Sequence, residues 1–534
     1  MQLFSRLPAR RSITVPEDAV AASWRARMRE TESLSFAPAV DDRVLDVFRR
    51  ARRPDDAMEL RDLWLGRVEH ELGAAGTRPG LAERWRAARP VRDVTVEEVL
   101  RSRATVRFVK ELFNAYFRDD LYGEFASPDN LVMSSGSVEE RHWGLPESLK
   151  ECIRYALDQD WYGYSDSRGR ASARQAVAEY ENARIEGEPY TAGEIALTIG
   201  ATFAVSTLAD FILNAGDPRE PALCATPNYP PLVETVARRQ AVTLVPLPSV
   251  DGLVSLEPLI AALTPSTPLV LLQTAGNPTG AMVCEEELAR LIAAAAPTTM
   301  IILDECHEWL GPARTASARR AAPNVIRVSS LSKTWSAPGL KVGWITADAA
   351  FIDEYYEYAS TTFGGPPSFF YTVVEVLARM EHWLITNVEE VGAAQLDGFE
   401  PHYGLSAGGL DAAYQSYRRD RGEREESLGI LRDATVSRLA EAGAVVHVPR
   451  YSINAVAEFH GWNDSYLCFR DLLRETGVSV FPGVLTFCFS GGFGRVTTSR
   501  NWREQSLALD RIHAYLARRE SGLVASTGLV EASR

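Results

Sequence analysis

Between residues 195 and 345 the chain repeats one rhythm, and that rhythm restricts its fold more than any other feature. Short apolar runs at 195–199, 222–225, 242–246, 268–273, 300–303, 325–329 and 342–345 recur, with helical patterns at 204–213, 232–239 and 285–295 among them. Runs that stay apolar, instead of alternating with polar residues, belong to strands covered on both faces. Strands alternating with helices predict an α/β domain built on a mainly parallel central sheet. In such sheets ligands bind beyond the carboxyl ends of the strands. The residues that follow each run are therefore the ones to read for chemistry.

The first run ends in Gly200-Ala201-Thr202 and passes directly into a helical pattern. Small residues at a helix start let main-chain N–H groups approach an anion, and Thr202 adds a hydroxyl donor. The second run ends in Pro227-Asn228-Tyr229-Pro230, where Tyr229 offers a ring to cover a flat ligand. The fourth is followed by Asn277-Pro278-Thr279-Gly280, a turn presenting an amide, and the fifth ends in Asp304-Glu305-Cys306-His307. The sixth leads into Ser330-Leu331-Ser332-Lys333, with Lys341-Val342-Gly343 beyond it. Taken singly, an acid at a strand end is a cap, Asn-Pro-Thr-Gly is a turn, and a lysine after serines is a solvated side chain. At successive strand ends they converge on one crevice, as an anion cradle, a stacking ring, an amide donor, a carboxylate and an amine. A phosphorylated aromatic aldehyde with a basic ring nitrogen needs that set.

The flanks read differently. In residues 1–125 Arg and Asp/Glu are dense and nearly balanced. The spacing Leu60, Leu63/Trp64, Val68, Leu72 predicts a helix with Asp55 and Asp56 at its start, and 96–117 predicts a second. Residues 1–125 are thus read as a helical extension and 126–350 as the large α/β domain. Past 350 come a long helical region, a polar stretch at 391–426 and strand candidates at 445–448, 455–459 and 478–481. These predict a smaller α+β domain over 351–534, with 393–426 as an insertion or mobile flap.

Composition narrows the function classes. A net charge of −14 speaks against nucleic acid as a partner, because phosphate binding needs a basic surface. No apolar run approaches the ~18–20 residues that cross a bilayer. The basic start, Met1 to Arg11, lacks the apolar segment of a secretory signal, so the expected location is cytoplasmic and no membrane partner is expected. The six cysteines are scattered without a C-x-x-C pair, so neither a zinc site nor a disulfide framework is expected.

The order of the strand-end motifs resembles that of fold type I pyridoxal 5'-phosphate (PLP) enzymes, specifically the class I/II aminotransferase superfamily, over residues 130–515. Its most specific part is the Ser330-to-Lys333 motif followed by Lys341-Val342-Gly343. The resemblance implies the PLP-dependent transferase fold and assigns roles residue by residue. Lys333 is the Schiff-base lysine and later proton shuttle, and Asp304 pairs with the pyridinium nitrogen. Asn277 bonds the phenolic oxygen, Tyr229 stacks on the ring, and Gly200, Ala201, Thr202, Ser330 and Lys341 hold the phosphate. Arg495, in Phe493-Gly494-Arg495-Val496, clamps the substrate α-carboxylate, and Gly136 supplies a main-chain contact on the substrate's other side. Tyr164 matches the tyrosine lent to a neighbouring subunit's phosphate, which implies a homodimer or higher homo-oligomer with shared active sites. Two positions depart from the family pattern: His307 stands where tyrosine is usual, and Lys341 where arginine is usual. Trp161, His142, Phe363 and the loop 451–454 are candidates to line the pocket.

The implied chemistry acts on an amino-acid substrate through charge developed at its Cα. Transamination is the leading expectation. Elimination or replacement of a β- or γ-substituent, ring closure and decarboxylation share the same machinery, so a lyase or transferase of specialised amino-acid metabolism stays open. A PLP-binding transcriptional regulator is a third reading, opposed by the charge balance of 1–125 and the absence there of a helix with clustered base-reading side chains.

Overall fold

The computed structural model describes residues 2–27, 34–187, 189–213, 220–311 and 315–521. The expected runs become seven strands: β1 (Ile195–Thr198), β2 (Ala222–Thr226), β3 (Val242–Pro246), β4 (Leu269–Gln273), β5 (Met300–Asp304), β6 (Val325–Ser330) and β7 (Gly343–Thr346). Every residue of β1, β2, β4, β6 and β7 is buried, which is why these runs show no polar alternation. The chain partitions into two compact units, each assembled from three segments. One comprises Met1–Thr14, Ser137–Asp217 and Cys284–Gly429; the other comprises Val15–Gly136, Pro218–Val283 and Ile430–Arg534.

In the first unit the strand order is β1, β7, β6, β5. β5 and β6 are parallel, with Asp304 opposite Val328. β7 departs from the parallel expectation. It runs antiparallel to both neighbours, with Gly343 opposite Ser330 on one side and Thr198 on the other. The residues after β1, β5 and β6 and those before β7 consequently share one sheet edge. Behind that edge, Arg327 of β6 bonds Glu305 at 2.9 Å and Glu181 at 2.7 Å, and Trp344 of β7 donates to Glu181 at 3.0 Å. The stretch expected as a flap, 393–426, is corrected: it leads into a 35-residue helix, Ala407–Glu441. Leu410, Ala413, Tyr414 and Tyr417 are fully buried and belong to a core cluster with Trp335, Tyr371 and Trp383. Their spacing is a helical stripe hidden in a polar sequence.

In the second unit β2 runs parallel to β3 and to β4. A four-stranded antiparallel sheet follows, built from Val445–His447, Asn454–Glu458, Phe493–Thr497 and Phe481–Pro482. The N-terminal helices belong to this unit. Leu60, Leu63, Trp64, Val68 and Leu72 are buried on Ala57–Leu72, whose cap is Asp56, accepting the N–H groups of Met58 and Glu59. The second expected helix breaks at Ser102, resumes as Arg103–Ala115 and continues as a π-helix, Tyr116–Glu124. Buried ions pin these helices to the C-terminal part: Arg67 pairs with Asp464, and Asp120 accepts Tyr466 Oη at 2.6 Å. Among the described residues no helix is long and apolar enough to cross a membrane.

Candidate active site

The first unit brings a carboxylate, an amine and an anion cradle to one sheet edge. β5 ends on Asp304, which is buried and accepts the Cys306 N–H at 3.1 Å. The next residue, Glu305, turns to the ion network behind the sheet. Burial opposes its ionisation, but the Arg327 and Arg320 guanidinium groups outweigh that and hold its carboxyl below the ordinary value. The short helix Cys306–Leu310 then buries His307. Cys306 Sγ lies 3.5 Å from Ser330 Oγ. Burial pushes the Cys306 thiol well up, Asp304 adds to the rise and Lys333 opposes it, so both site charges act on this one atom.

Ser330 closes β6 and caps the single-turn helix Leu331–Thr334, accepting the Ser332 N–H at 3.4 Å. Lys333 is half-buried on that turn, and its carbonyl accepts Arg424 Nη2 at 2.9 Å. Lys341 is exposed in a left-handed conformation immediately before β7. Gly200, at φ +77° after β1, lies against it; a Cβ there would stand 3.7 Å from Lys341 Cα. That is an ordinary contact, so the backbone angle and not lack of space selects glycine. The helix Ala201–Leu213 starts at this point with its first N–H groups unspent inside the helix. Phe363 meets Phe203 edge-on at 4.9 Å and so flanks the same turn. Elsewhere in the unit Trp161 packs against Tyr403 and the Arg170 guanidinium, His142 sits 3.2 Å from Glu139, and Tyr164 is fully exposed.

The second unit assembles a buried cation, an amide and a ring. Arg495 donates Nη1 to Asn277 Oδ1 at 2.8 Å and Nη2 to the Ser134 carbonyl at 2.6 Å. Its guanidinium lies 4.2 Å over the Phe481 ring, and a Cβ on Gly136 would stand 3.6 Å from Nη2. Arg495 has no carboxylate partner among the described residues, and burial pushes it down to about 10. A buried cation with no counter-ion is costly, so the arrangement fits a site that an anionic ligand completes. The bond from Arg495 occupies Asn277 Oδ1 and leaves the amide nitrogen as the outward donor. Gly280, in the same turn, has φ +64°, and a Cβ would stand 2.4 Å from Pro449 Cβ. Only glycine lets the 449–452 loop close onto this turn, where the N–H groups of Arg450 and Tyr451 both reach the Gly280 carbonyl at 3.1 Å. Tyr229 is half-buried, its N–H held by Asn228 Oδ1 at 2.7 Å.

Several supporting residues were not singled out from the sequence. Phe113 meets Tyr229 at 6.0 Å and Phe481 at 5.9 Å, Tyr116 meets Phe481 at 5.4 Å, and Tyr116 Oη donates to the Val480 carbonyl at 3.2 Å. Their only signal was an aromatic cluster at 113, 116 and 117, which reads as ordinary core. Arg424 gave no signal at all. The donor set of the first unit fits PLP: a strand-end acid, a lysine, and a glycine-started helix beside a second lysine.

A family model described as aminotransferase class I and II matches residues 128–512. The chain is 27% identical to aspartate aminotransferase of Pyrococcus horikoshii over 268 residues, 49% of this chain and 67% of that protein. It is 28% identical to aromatic amino acid aminotransferase of Mycobacterium sp. (strain KMS) over 220 residues, 40% of this chain and 60% of the relative. The structure of N-succinyldiaminopimelate aminotransferase from Mycobacterium tuberculosis shares the fold, with a TM-score of 0.59 at 21% identity, covering 72% of this chain and 93% of that one.

Proposed function

Because the chain belongs to the class I and II aminotransferase family, we propose that it is a PLP-dependent enzyme transferring the amino group of an α-amino acid to a 2-oxo acid. The observation that carries the reading is the sheet edge on which Asp304, Ser330, Lys333, Lys341 and Gly200 meet. PLP, when bound, supplies an electron sink for the charge that develops at the substrate Cα. Lys333 anchors the cofactor, and its Nζ takes the Cα proton and returns it. Asp304 holds the proton of the cofactor's ring nitrogen, and its burial keeps water from competing for that proton. Asn277, oriented by Arg495, donates to the phenolic oxygen, with His307 as a second donor in place of tyrosine. Tyr229 covers the ring. Ala201, Thr202 and the helix start after Gly200 receive the phosphate with Ser330 and Lys341. Arg495 binds the substrate α-carboxylate in a two-pronged contact beside the Gly136 main chain.

The relatives named above are aminotransferases, which favours amino transfer over elimination, replacement or ring closure, and over a regulatory role. Full exposure of Tyr164 supports the reading that it serves a second subunit in a homodimer. A cytoplasmic setting is part of the proposal, supported by six free cysteines, five of them buried.

The test incubates purified protein with a panel of amino acids and 2-oxoglutarate and measures glutamate. Borohydride reduction then locates the cofactor. Glutamate formation by wild type, its loss in Lys333→Ala and a reduced adduct on Lys333 are expected. A wild-type protein with no cofactor absorbance and no adduct on Lys333 refutes the reading.

A further inference from the structure

The helix Ala407–Glu441 carries a cation for which the mechanism above has no use. Arg424 is 1% exposed, forms no ion pair among the described residues, and has no hydrogen-bond partner for its Nε. Burial pushes its guanidinium down, and nearby Arg421 adds to that. Three neighbouring acids on its own helix are committed elsewhere: Glu425 pairs with Arg421, and Asp420 and Glu423 both pair with Arg10. What Arg424 does hold is main chain. Its Nη2 donates to the Lys333 carbonyl at 2.9 Å, and its guanidinium lies 5.4 Å from the centre of the Trp335 ring.

That carbonyl needs an outside donor. Leu331–Thr334 is a single turn, and the last carbonyls of a helix have no N–H partner within it. The same long helix grips the turn a second time, because Trp335 Nε1 donates to Tyr417 Oη at 3.1 Å. Tyr417 is itself tied to Glu381, which also accepts Arg421 Nε at 3.1 Å. Tyr417 and Arg424 stand about two turns apart on one helix face, so one rigid element holds residues 333 and 335 on either side of Thr334. At the other end the turn is fixed by the Ser330 cap and by the Leu331 N–H bonded to the Val342 carbonyl at 3.0 Å.

We propose that Arg424 is a positioning residue for the cofactor lysine: its bond to the Lys333 carbonyl fixes the turn from which the Lys333 amine works. The inference rests on the PLP reading of Lys333. It gives the polar helix a role at the site without contact with substrate.

The experiment compares wild type, Arg424→Met and Arg424→Lys as holoenzymes, with Arg424→Leu, which also lacks a donor, as the second loss variant should the methionine variant not fold. Cofactor content, the visible circular dichroism of the bound cofactor, and kcat and KM for the amino acid are measured. The loss variant should keep its cofactor content and its KM within about twofold, lose kcat by about 10- to 100-fold, and change the cofactor dichroism. Arg424→Lys, which keeps a donor of similar reach, should recover most of both signals. A loss variant with wild-type kcat and dichroism overturns the proposal, as does a loss that Arg424→Lys does not relieve. Wild type with no cofactor on Lys333 refutes the PLP reading along with it, whereas normal wild type beside an unaffected loss variant refutes the role of Arg424 alone.

Discussion

Replacing Phe113 by alanine removes a ring that belongs to residues outside the matched family segment yet touches a candidate site residue, Tyr229, and the Phe481 ring on which Arg495 rests. Full burial of a phenylalanine makes its truncation cost about 3–5 kcal/mol, and Phe113 is half-buried, which brings the area contribution to about 2 kcal/mol. Its edge-on contacts with Phe117 at 5.0 Å, Phe481 at 5.9 Å and Tyr229 at 6.0 Å add about 0.5–1.5 kcal/mol each, partly overlapping with that area. The expected loss is therefore about 3 kcal/mol, read as a fall of several degrees in the melting midpoint of the protein. The functional consequence runs through Phe481, because Arg495 rests on that ring. A shifted guanidinium weakens ground state and transition state alike, so KM for the amino acid should rise several-fold with kcat changed less. Phe113→Leu, which keeps much of the volume, should lie between alanine and wild type. A variant that melts earlier but keeps wild-type KM and kcat refutes the view that 103–124 shapes the carboxylate clamp.

Arg495→Lys keeps a charge and loses the fork, leaving Asn277 Oδ1 or the Ser134 carbonyl without its donor; kcat/KM should fall about 10- to 100-fold in steady-state assays. Gly280→Ala places a Cβ against Pro449 at a positive φ, so melting of the cofactor-free protein should show a loss of about 1–3 kcal/mol or more. Stability should also depend on acid through Asp464. Burial opposes its ionisation, but Arg67 and the Leu467 N–H outweigh that, so its folded value lies below the ordinary carboxyl value. Its contribution is then complete above the unfolded value of about 3.9 and is lost as pH falls through the folded one. Urea titrations between pH 3 and 7 should show that decline, and Asp464→Asn should be less stable at neutral pH and flatter in acid.

The α/β alternation was legible because strands buried on both faces carry few polar residues, the ion-paired Arg327 of β6 being an exception. The candidate site was legible for a related reason: a ligand at strand ends is met by the residues directly after each apolar run, and Asp304, Ser330 and Lys333 stand there. The helix at 407–441 was obscured because its buried stripe includes Tyr417, Arg421 and Arg424 among many exposed charges, so polarity outweighed period. The aromatic support under Arg495 was obscured because a ring in a helical stripe looks the same whether it backs a core or a site.

What the amino-acid order determined by itself was local: which runs are strands, where they end, and which functional groups stand at those ends. What only the tertiary structure decided was partnership and direction. Nothing in a fully apolar run reveals whether it lies parallel or antiparallel, yet the antiparallel course of β7 is what sets Lys341 beside Gly200. Likewise the bonds from Arg495 to Asn277 and from Arg424 to Lys333 join residues far apart in the chain. Such contacts depend on how whole elements pack, because the free energy that places an isolated side chain is small beside that of burying the surface it rides on.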